Sequence, residues 1–242
     1  MKEIVQQYLQ KHGFEQFCPK AVLFDMDGVI YNSMPNHARS WHETMESVGI
    51  HMAEEEAYLY EGMRGVETIK LKALQQWKRE ISDEEAKRMY NLKAAAFSQC
   101  PPAPKMEGID EFMRQIKADG IIICVVTGSG QRTMLEKLET DFKGLVCHGL
   151  IVTSFDVSHG KPAPDPYLIG MQKVGVKPWE TIVVENAPLG VQSAVAAKCF
   201  TIAVNTGPLS NQELKDKGAD IIIPNIKTLK QQWELIRTSY YK

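Results

Sequence analysis

The most constraining feature of the sequence is a set of short apolar runs without alternation between polar and apolar residues. These runs cover residues 21–24, 121–127, 181–185, 200–204 and 219–224. Strands that are apolar on both faces are typical of a parallel sheet covered by helices on both sides. Helical segments are expected between the runs, at 108–119, 131–140, 166–174 and 188–198. This alternation predicts an α/β fold with a doubly wound, Rossmann-like parallel sheet.

The segment 34–104 interrupts the alternation. It contains no convincing strand, its apolar residues recur at helical spacing, and it closes with the breaker sequence CPPAP. We therefore predict an all-helical cap domain at 34–104, inserted into a core domain made of 19–33 and 105–242. Residues 1–18 are predicted to form an extra helix that packs on this core.

Composition narrows the class of protein. The chain of 242 residues has a formal net charge of −2, which gives no electrostatic reason to expect nucleic acid or an anionic membrane as a partner. The N-terminus lacks the apolar region of a signal peptide, and no run approaches the ~20 residues that span a bilayer. The five cysteines are scattered and form no C-x-x-C pair, so we expect reduced thiols in a cytoplasmic protein, and a monomer.

Polar residues stand at the ends of three predicted strands and in one loop between strands. They are Asp25 and Asp27; Thr127, Gly128 and Ser129; Lys161 in the loop HGKPAPDP; and Glu185 with Asn186. Ligands of an open parallel sheet bind beyond the carboxyl ends of its strands, so neighbouring strands would join these residues in one site. Clustered oxygen atoms suit Mg²⁺, whereas a hydroxyl group, glycine-flanked amides and an ammonium group suit phosphate. In such a site one aspartate can act as nucleophile and a second as acid/base.

The four motifs DMDGV, VVTGS, Lys161-Pro162 and VVEN followed by APLGV occur in this order over roughly residues 20–224. They resemble the haloacid dehalogenase (HAD) superfamily of phosphotransferases, and the helical insertion resembles the C1 cap of its β-phosphoglucomutase-like branch. The glycines of TGSGQ also suggest a dinucleotide site, but the third glycine of G-x-G-x-x-G is missing. The resemblance therefore favours phosphoryl chemistry over a nicotinamide cofactor.

The resemblance implies a role for each motif. Asp25 would be the nucleophile and a Mg²⁺ ligand, and Asp27 the acid/base and a ligand through its backbone carbonyl. Thr127 and Lys161, with the loop residues Gly128 and Ser129, would hold the phosphoryl group. The residues Glu185 and Asn186 would lie at the metal.

Two residues of the predicted cap have two interpretations each. Lys93 lies within the apolar stripe of its predicted helix, where either a snorkelling stem or a contact with substrate explains it. His37 lies twelve residues after Asp25, where the resemblance implies a histidine that contacts substrate, although a helix-start histidine packed at the domain boundary is the alternative.

The sequence departs from the family pattern at two places. Most relatives carry an aspartate at Asn186, and the mutases carry a basic residue at Glu61 and a phosphate-binding arginine at Gly65. We hypothesise that Glu61 enters the metal site when the cap closes and replaces the charge lost at Asn186. A solvent-facing glutamate beside a flexible loop is the alternative, and Arg64 is a candidate contact for the substrate.

These features predict a Mg²⁺-dependent phosphohydrolase that acts through an aspartyl-phosphate. Its expected substrate is inorganic pyrophosphate or a compact phosphate ester, because the motifs most resemble the pyrophosphatases of the branch. One alternative is an isomerase, β-phosphoglucomutase, acting on β-glucose 1-phosphate. A second is a catalytically idle binding module that retains the fold.

Overall fold

The computed structural model describes residues 1–130 and 132–239, with residues 132 and 133 described by their backbone alone. Within these residues six strands form one sheet in which all paired strands are parallel. They are β1 (Ala21–Phe24), β2 (Ile122–Val126), β3 (Ile151–Val152), β4 (Thr181–Glu185), β5 (Phe200–Val204) and β6 (Ile221–Ile223). Their order, β3-β2-β1-β4-β5-β6, confirms the predicted doubly wound fold. The chain reverses direction across the sheet between β1 and β4, the switch point where ligands of such sheets bind.

Helices cover both faces of the sheet, as the unalternated strands predict. Val22 and Phe24 of β1 pack into one apolar cluster, and Leu23 packs into another on the opposite face. The core helices are α1 (Lys2–His12), α6 (Ile109–Ala118), α7 (Arg132–Asp141), α8 (Asp165–Val174), α9 (Pro188–Ala196), α10 (Asn211–Asp216) and α11 (Ile226–Arg237). The helix expected at 131–140 corresponds to α7, and position 131 lies outside the described residues.

The helix α1 packs on the core. Val5 and Tyr8 are fully buried in the larger apolar cluster of the sheet. The Tyr8 hydroxyl also donates a hydrogen bond to the carbonyl oxygen of Lys198 at 2.9 Å. The helix is therefore attached to the core by apolar packing and by this hydrogen bond.

The cap consists of four helices between β1 and α6: α2 (Met34–Ser47), α3 (Glu56–Leu59), α4 (Gly65–Trp77) and α5 (Asp83–Ser98). Their apolar faces form a separate cluster that includes Ala38, Met45, Ile69 and Ala86. Ser82 caps α5 by accepting the N–H of Glu85 at 3.1 Å. The cap therefore has an apolar cluster of its own, and it meets the core mainly through loops.

The structure differs from the expected elements at β3. This strand has only two residues, and it pairs with the end of β2. So short a run carries no detectable periodicity, which is why the sequence did not predict it. No helix among residues 1–130 and 132–239 combines the length and the apolar character needed to span a membrane.

Candidate active site

Three buried charged side chains meet at the carboxyl edge of the sheet. Asp25 follows β1 directly, and its backbone N–H donates to the carbonyl oxygen of Val184 at 3.0 Å. The pairing of Phe24 with Val184 places the residue after β1 level with Glu185 at the end of β4. Between them the Lys161 ammonium donates to Oδ1 of Asp25 and, at 2.6 Å, to Oε1 of Glu185. The strand register therefore brings the first, third and fourth motifs together.

Glu185 has partners for both carboxylate oxygens. Oε1 accepts from Lys161 and from the hydroxyl of Tyr167 at 2.6 Å, while Oε2 accepts from the backbone N–H groups of Asn186 and the next residue. Gly190 of α9 makes room for this carboxylate, because a Cβ atom there would lie 2.0 Å from Oε1. The carboxylate of Glu185 thus holds Lys161 and the backbone of Asn186 in place, and its predicted place at the metal stays a prediction.

Two buried side-chain oxygens of the described residues have no hydrogen-bond partner: Oδ2 of Asp25 and Oδ1 of Asn186. Burial raises the pKa of Asp25 well above its usual range, although the positive charge of Lys161 opposes the rise. Burial, reinforced by the charge of Asp25, raises the pKa of Glu61 in the same way. A cation bound here would satisfy both oxygens and lower both pKa values.

These residues fit Mg²⁺, which prefers oxygen ligands and few protein carboxylates. Asp25, Glu61 and the amide oxygen of Asn186, with the backbone carbonyl of Asp27, would hold it. In this set an amide oxygen and a backbone carbonyl would complete the ligands that the two carboxylates begin.

Asp27 lies in a chain of hydrogen bonds that runs into the cap. Its Oδ1 accepts from the hydroxyl of Ser33 at 2.5 Å and lies 3.2 Å from Nε2 of His37. On the other side of the ring, Nδ1 lies 2.7 Å from the ammonium of Lys93. The ammonium can only donate, so Nδ1 accepts and the neutral ring carries its proton on Nε2, directed at Asp27. The ring stacks on Phe97, with centroids 4.3 Å apart.

Asp27 and His37, the first two groups of this chain of hydrogen bonds, favour different charge states. Burial alone would raise the pKa of Asp27, but His37 and Ser33 outweigh it and lower that pKa. Burial, followed by the charge of Lys93, lowers the pKa of His37. Asp27 is therefore a carboxylate beside a neutral imidazole at neutral pH, and the carboxylate is the form that can take a proton from water.

The loop after β2 forms the phosphate side of the site. The N–H of Thr127 donates to the carbonyl of Val152 on β3, and its Oγ1 accepts from the N–H of Ser129 at 3.0 Å. Because the hydroxyl oxygen accepts here, its own proton is available to an acceptor such as a phosphate oxygen. Gly128 and Ser129 line the cavity beside Asp25.

A cavity of about 70 Å³ lies between this edge of the core and the cap. Its walls include Asp25, Asp27, Gly128 and Ser129 from the core, and His37, Trp41, Tyr60, Glu61, Tyr90 and Lys93 from the cap. A single buried water needs roughly 10–15 Å³, so the space suits a compact group.

Glycines allow the cap loop to approach the core this closely. A Cβ atom on Gly62 would lie 2.7 Å from Cδ of Lys161, and one on Gly128 would lie 3.0 Å from the Gly62 carbonyl oxygen. Gly62 also has φ +85°, a conformation that other residues rarely adopt. The preceding residue, Glu61, is thereby brought to Asn186, whose Nδ2 lies 3.0 Å from each of its carboxylate oxygens.

Arg64 and Gly65 lie at the end of the same cap loop. The guanidinium of Arg64 donates to the carbonyl of Ser158 at 3.0 Å, and Arg64 does not line the cavity; its contact with substrate stays a prediction. At Gly65, a Cβ atom would lie 2.2 Å from the ring of Tyr90. The ring occupies the space that an arginine at this position would need.

Comparison with known proteins places the chain in a family. The model of the family "Haloacid dehalogenase-like hydrolase" matches residues 22–204. The chain belongs to this family. The HAD match spans the four motifs and the inserted cap, and it includes each of the core residues described above.

Individual relatives of the HAD protein are phosphatases and phosphoglucomutases by name. Hexitol phosphatase A of Escherichia coli (strain K12) is 28% identical over 210 residues, 87% of this chain and 93% of that protein. β-Phosphoglucomutase of Bacillus subtilis (strain 168) is 24% identical over 232 residues, 90% of this chain and 97% of that protein. A structure described as "Putative beta-phosphoglucomutase from Bacteroides vulgatus" is 44% identical, covers 100% of this chain and 98% of its own, and has a TM-score of 0.96.

Several site residues were not singled out from the sequence. Tyr167 holds Glu185, and Ser33 holds Asp27. Tyr60 lines the cavity next to Glu61. Each of these three lies near a motif, but a serine or tyrosine in such a place has no distinguishing pattern.

Proposed function

We propose that this HAD hydrolase is a Mg²⁺-dependent phosphohydrolase that works through an aspartyl-phosphate on Asp25. Its proposed substrate is inorganic pyrophosphate, or a phosphate ester of similar size. The observation that carries this proposal is the contact of Glu61 with Asn186, which places a carboxylate from the cap at the core site.

The contact supports a small substrate for two reasons. It requires the cap loop to lie directly on the phosphate loop, with Gly62 against Gly128, which leaves a cavity of about 70 Å³. It also puts an anion at the position where the distal phosphate of a sugar substrate would need a cation. Among the described residues that line the cavity, Lys93 is the cationic side chain from the cap, and it can hold one further phosphoryl group.

The proposed reaction has two steps. An Asp25 carboxylate oxygen forms a bond to phosphorus while the bond to the leaving oxygen breaks. The negative charge of the bound substrate raises the proton affinity of Asp27, which takes up a proton from solvent and supplies it to that oxygen. Water then attacks the aspartyl-phosphate, Asp27 takes its proton, and phosphate leaves with Asp25 restored. Lys161 and the hydroxyl of Thr127 stabilise the charge on the phosphoryl oxygens. Bound Mg²⁺ would supply further positive charge at those oxygens.

A phosphoglucomutase is the second candidate, and a specific observation favours it. The chain of hydrogen bonds from Asp27 through His37 to Lys93 presents an acid/base group and a cation to the cavity. This arrangement suits a hydroxylated substrate. The names of two relatives reported above agree with it. The ring of Tyr90 against Gly65 weighs against it, because it removes the site for a distal phosphate.

The relatives' names also require phosphate esters among the substrates to be tested. Phosphate release should be measured for pyrophosphate, hexitol phosphates and other sugar phosphates, beside conversion of β-glucose 1-phosphate, with Asp25→Asn as the inactive control. The highest kcat/KM for pyrophosphate supports the proposal. A higher value for a sugar phosphate contradicts the proposed substrate, and conversion with little net phosphate release identifies a mutase. No activity on any compound would indicate an idle module.

A further inference from the structure

The cap contains a second buried lysine, Lys72, which lies behind the wall of the cavity. It belongs to α4 and is 4% exposed. Its ammonium donates to Oε1 of Glu56 in α3 at 2.8 Å. The other oxygen of Glu56 accepts the N–H of Ala53 at 3.0 Å, just before that helix. Burial of a lysine is unfavourable unless it is paired. The burial of Lys72 beside Glu56 therefore needs a structural or functional explanation.

The ion pair joins the two helices that flank the cap loop. The loop begins where α3 ends, at Leu59, and finishes where α4 begins, at Gly65. The Lys72 ammonium also lies 5.8 Å from the ring centroid of Tyr60, the first loop residue. Tyr60 lines the cavity and immediately precedes Glu61. Lys72, on the helix that follows the loop, therefore contacts both the helix before the loop and the first residue of the loop.

The carboxyl group of Glu56 is ionised in the folded protein. Burial would raise the pKa of Glu56, but the hydrogen bonds from Lys72 and from the N–H of Ala53 outweigh it and lower that pKa. A carboxylate and an ammonium at 2.8 Å form a directional contact that apolar packing would not provide.

We propose that Lys72 is a positioning residue for Glu61. Its ion pair with Glu56 fixes α3 against α4 and so holds the loop where the Glu61 carboxylate reaches Asn186. The effect passes to bound Mg²⁺ through Glu61, so the proposal rests on the metal role of Glu61 in the proposed function. Outer residues that orient metal ligands typically change metal affinity about 10- to 100-fold.

The test measures Mg²⁺ binding by calorimetry on the full chain, with saturating inorganic phosphate and without turnover. Lys72→Met should weaken Mg²⁺ binding about tenfold, near the lower limit for such positioning residues, and Lys72→Arg should restore most of it. Lys70→Met is the matched control, because Lys70 lies on the same helix and pairs with Asp83 at the surface. It should leave Mg²⁺ affinity unchanged.

A double-mutant cycle separates positioning from a general loss of structure. In a Glu61→Ala background, Lys72→Met should weaken Mg²⁺ binding no further, since the ligand that it positions is gone. If Lys72→Met alone unfolds the cap, the double variant Lys72→Met/Glu56→Met replaces the pair with apolar side chains, an exchange that usually preserves folding. It should show the same weakened Mg²⁺ binding.

Unchanged Mg²⁺ affinity in folded Lys72→Met, or in the double variant with Glu56→Met, overturns the proposal, and so does an equal loss with and without Glu61. The readout is independent of substrate. If the wild type fails to hydrolyse pyrophosphate while the coupling between Lys72 and Glu61 persists, the proposed substrate is wrong and this inference stands.

Discussion

The two halves of the active site are built in different ways. In the core half, Asp25, Lys161 and Glu185 follow paired strands or lie against them, and their charges form a closed, buried network. In the cap half, Glu61 and Lys93 stand on helices and loops that pack mainly among themselves. In the proposed function the core half acts on the phosphoryl group, and the cap half selects what is attached to it.

Replacement of the nucleophile should have the largest effect. It should abolish the activity of the core half and leave the cap half unchanged. Asp25→Asn removes the atom that forms the covalent bond, so we expect kcat to fall by about 10⁴-fold or more. Phosphate release measures the loss, and thermal unfolding checks that the fold is kept. Asp110→Asn, at a carboxylate paired with Lys105 on the core, is the control and should retain full activity. Substantial turnover by Asp25→Asn would contradict an aspartyl-phosphate.

Removal of the Lys161 ammonium group should have the next largest effect. Lys161→Met leaves the carboxylates of Asp25 and Glu185 buried without their shared partner, which should cost about 3–5 kcal/mol of unfolding free energy. Loss of a charge that stabilises the phosphoryl oxygens should lower kcat by about 10²- to 10³-fold. Denaturant unfolding and steady-state kinetics measure the two effects. Lys173→Met, at a lysine paired with Asp156, should change neither strongly.

The contrast between the halves also explains what the sequence could predict. A polar residue directly after a buried parallel strand must lie at the carboxyl edge of the sheet, so Asp25, Thr127 and Glu185 were predictable from the strand pattern. The hydrogen-bond partners of Glu185 were not predictable, because they depend on the Tyr167 hydroxyl and on the space left by Gly190.

The cap half was harder to predict because helical periodicity gives the inner face of a helix but not its distance from another domain. The approach of Glu61 to Asn186 depends on contacts between Gly62 and its neighbours across the domain boundary. Arg64 shows the same difficulty, since its position against Ser158 is fixed by the closed loop. The boundaries of the cap at 34 and 104 stay a prediction.

Changes at Glu61 test whether the cap half completes the core half. Glu61→Ala should weaken Mg²⁺ binding about 10- to 100-fold, because one charged ligand is lost. Asn186→Asp should return a negative charge to the core and recover much of the affinity in the Glu61→Ala background. Calorimetric titration with Mg²⁺ measures each variant. Unchanged Mg²⁺ dependence in Glu61→Ala would mean that the charge is not supplied from the cap.

The smallest expected effect concerns the cation of the cap half. Burial lowers the pKa of Lys93 from 10.5 to about 8. Below pH 8 the side chain is protonated and can hold an anionic substrate, and above pH 8 it loses that charge. We therefore expect KM for the phosphate substrate to rise several-fold, about one order of magnitude at most, as the pH passes 8. Lys93→Arg should flatten the profile, because arginine stays protonated.

The same shift predicts an opposite trend in stability, which identifies Lys93 as the group that titrates. The folded protein binds the lysine proton less tightly than the unfolded chain, so the full cost of burying the charge is present below pH 8. As the pH rises from about 8 towards 10.5, only the unfolded chain keeps the proton, and the free energy of unfolding should increase relative to that of Lys93→Met. Unfolding curves of both proteins across this range measure the difference. A rise in KM without this gain in stability would assign the titration to another group and leave the cap half without its proposed cation.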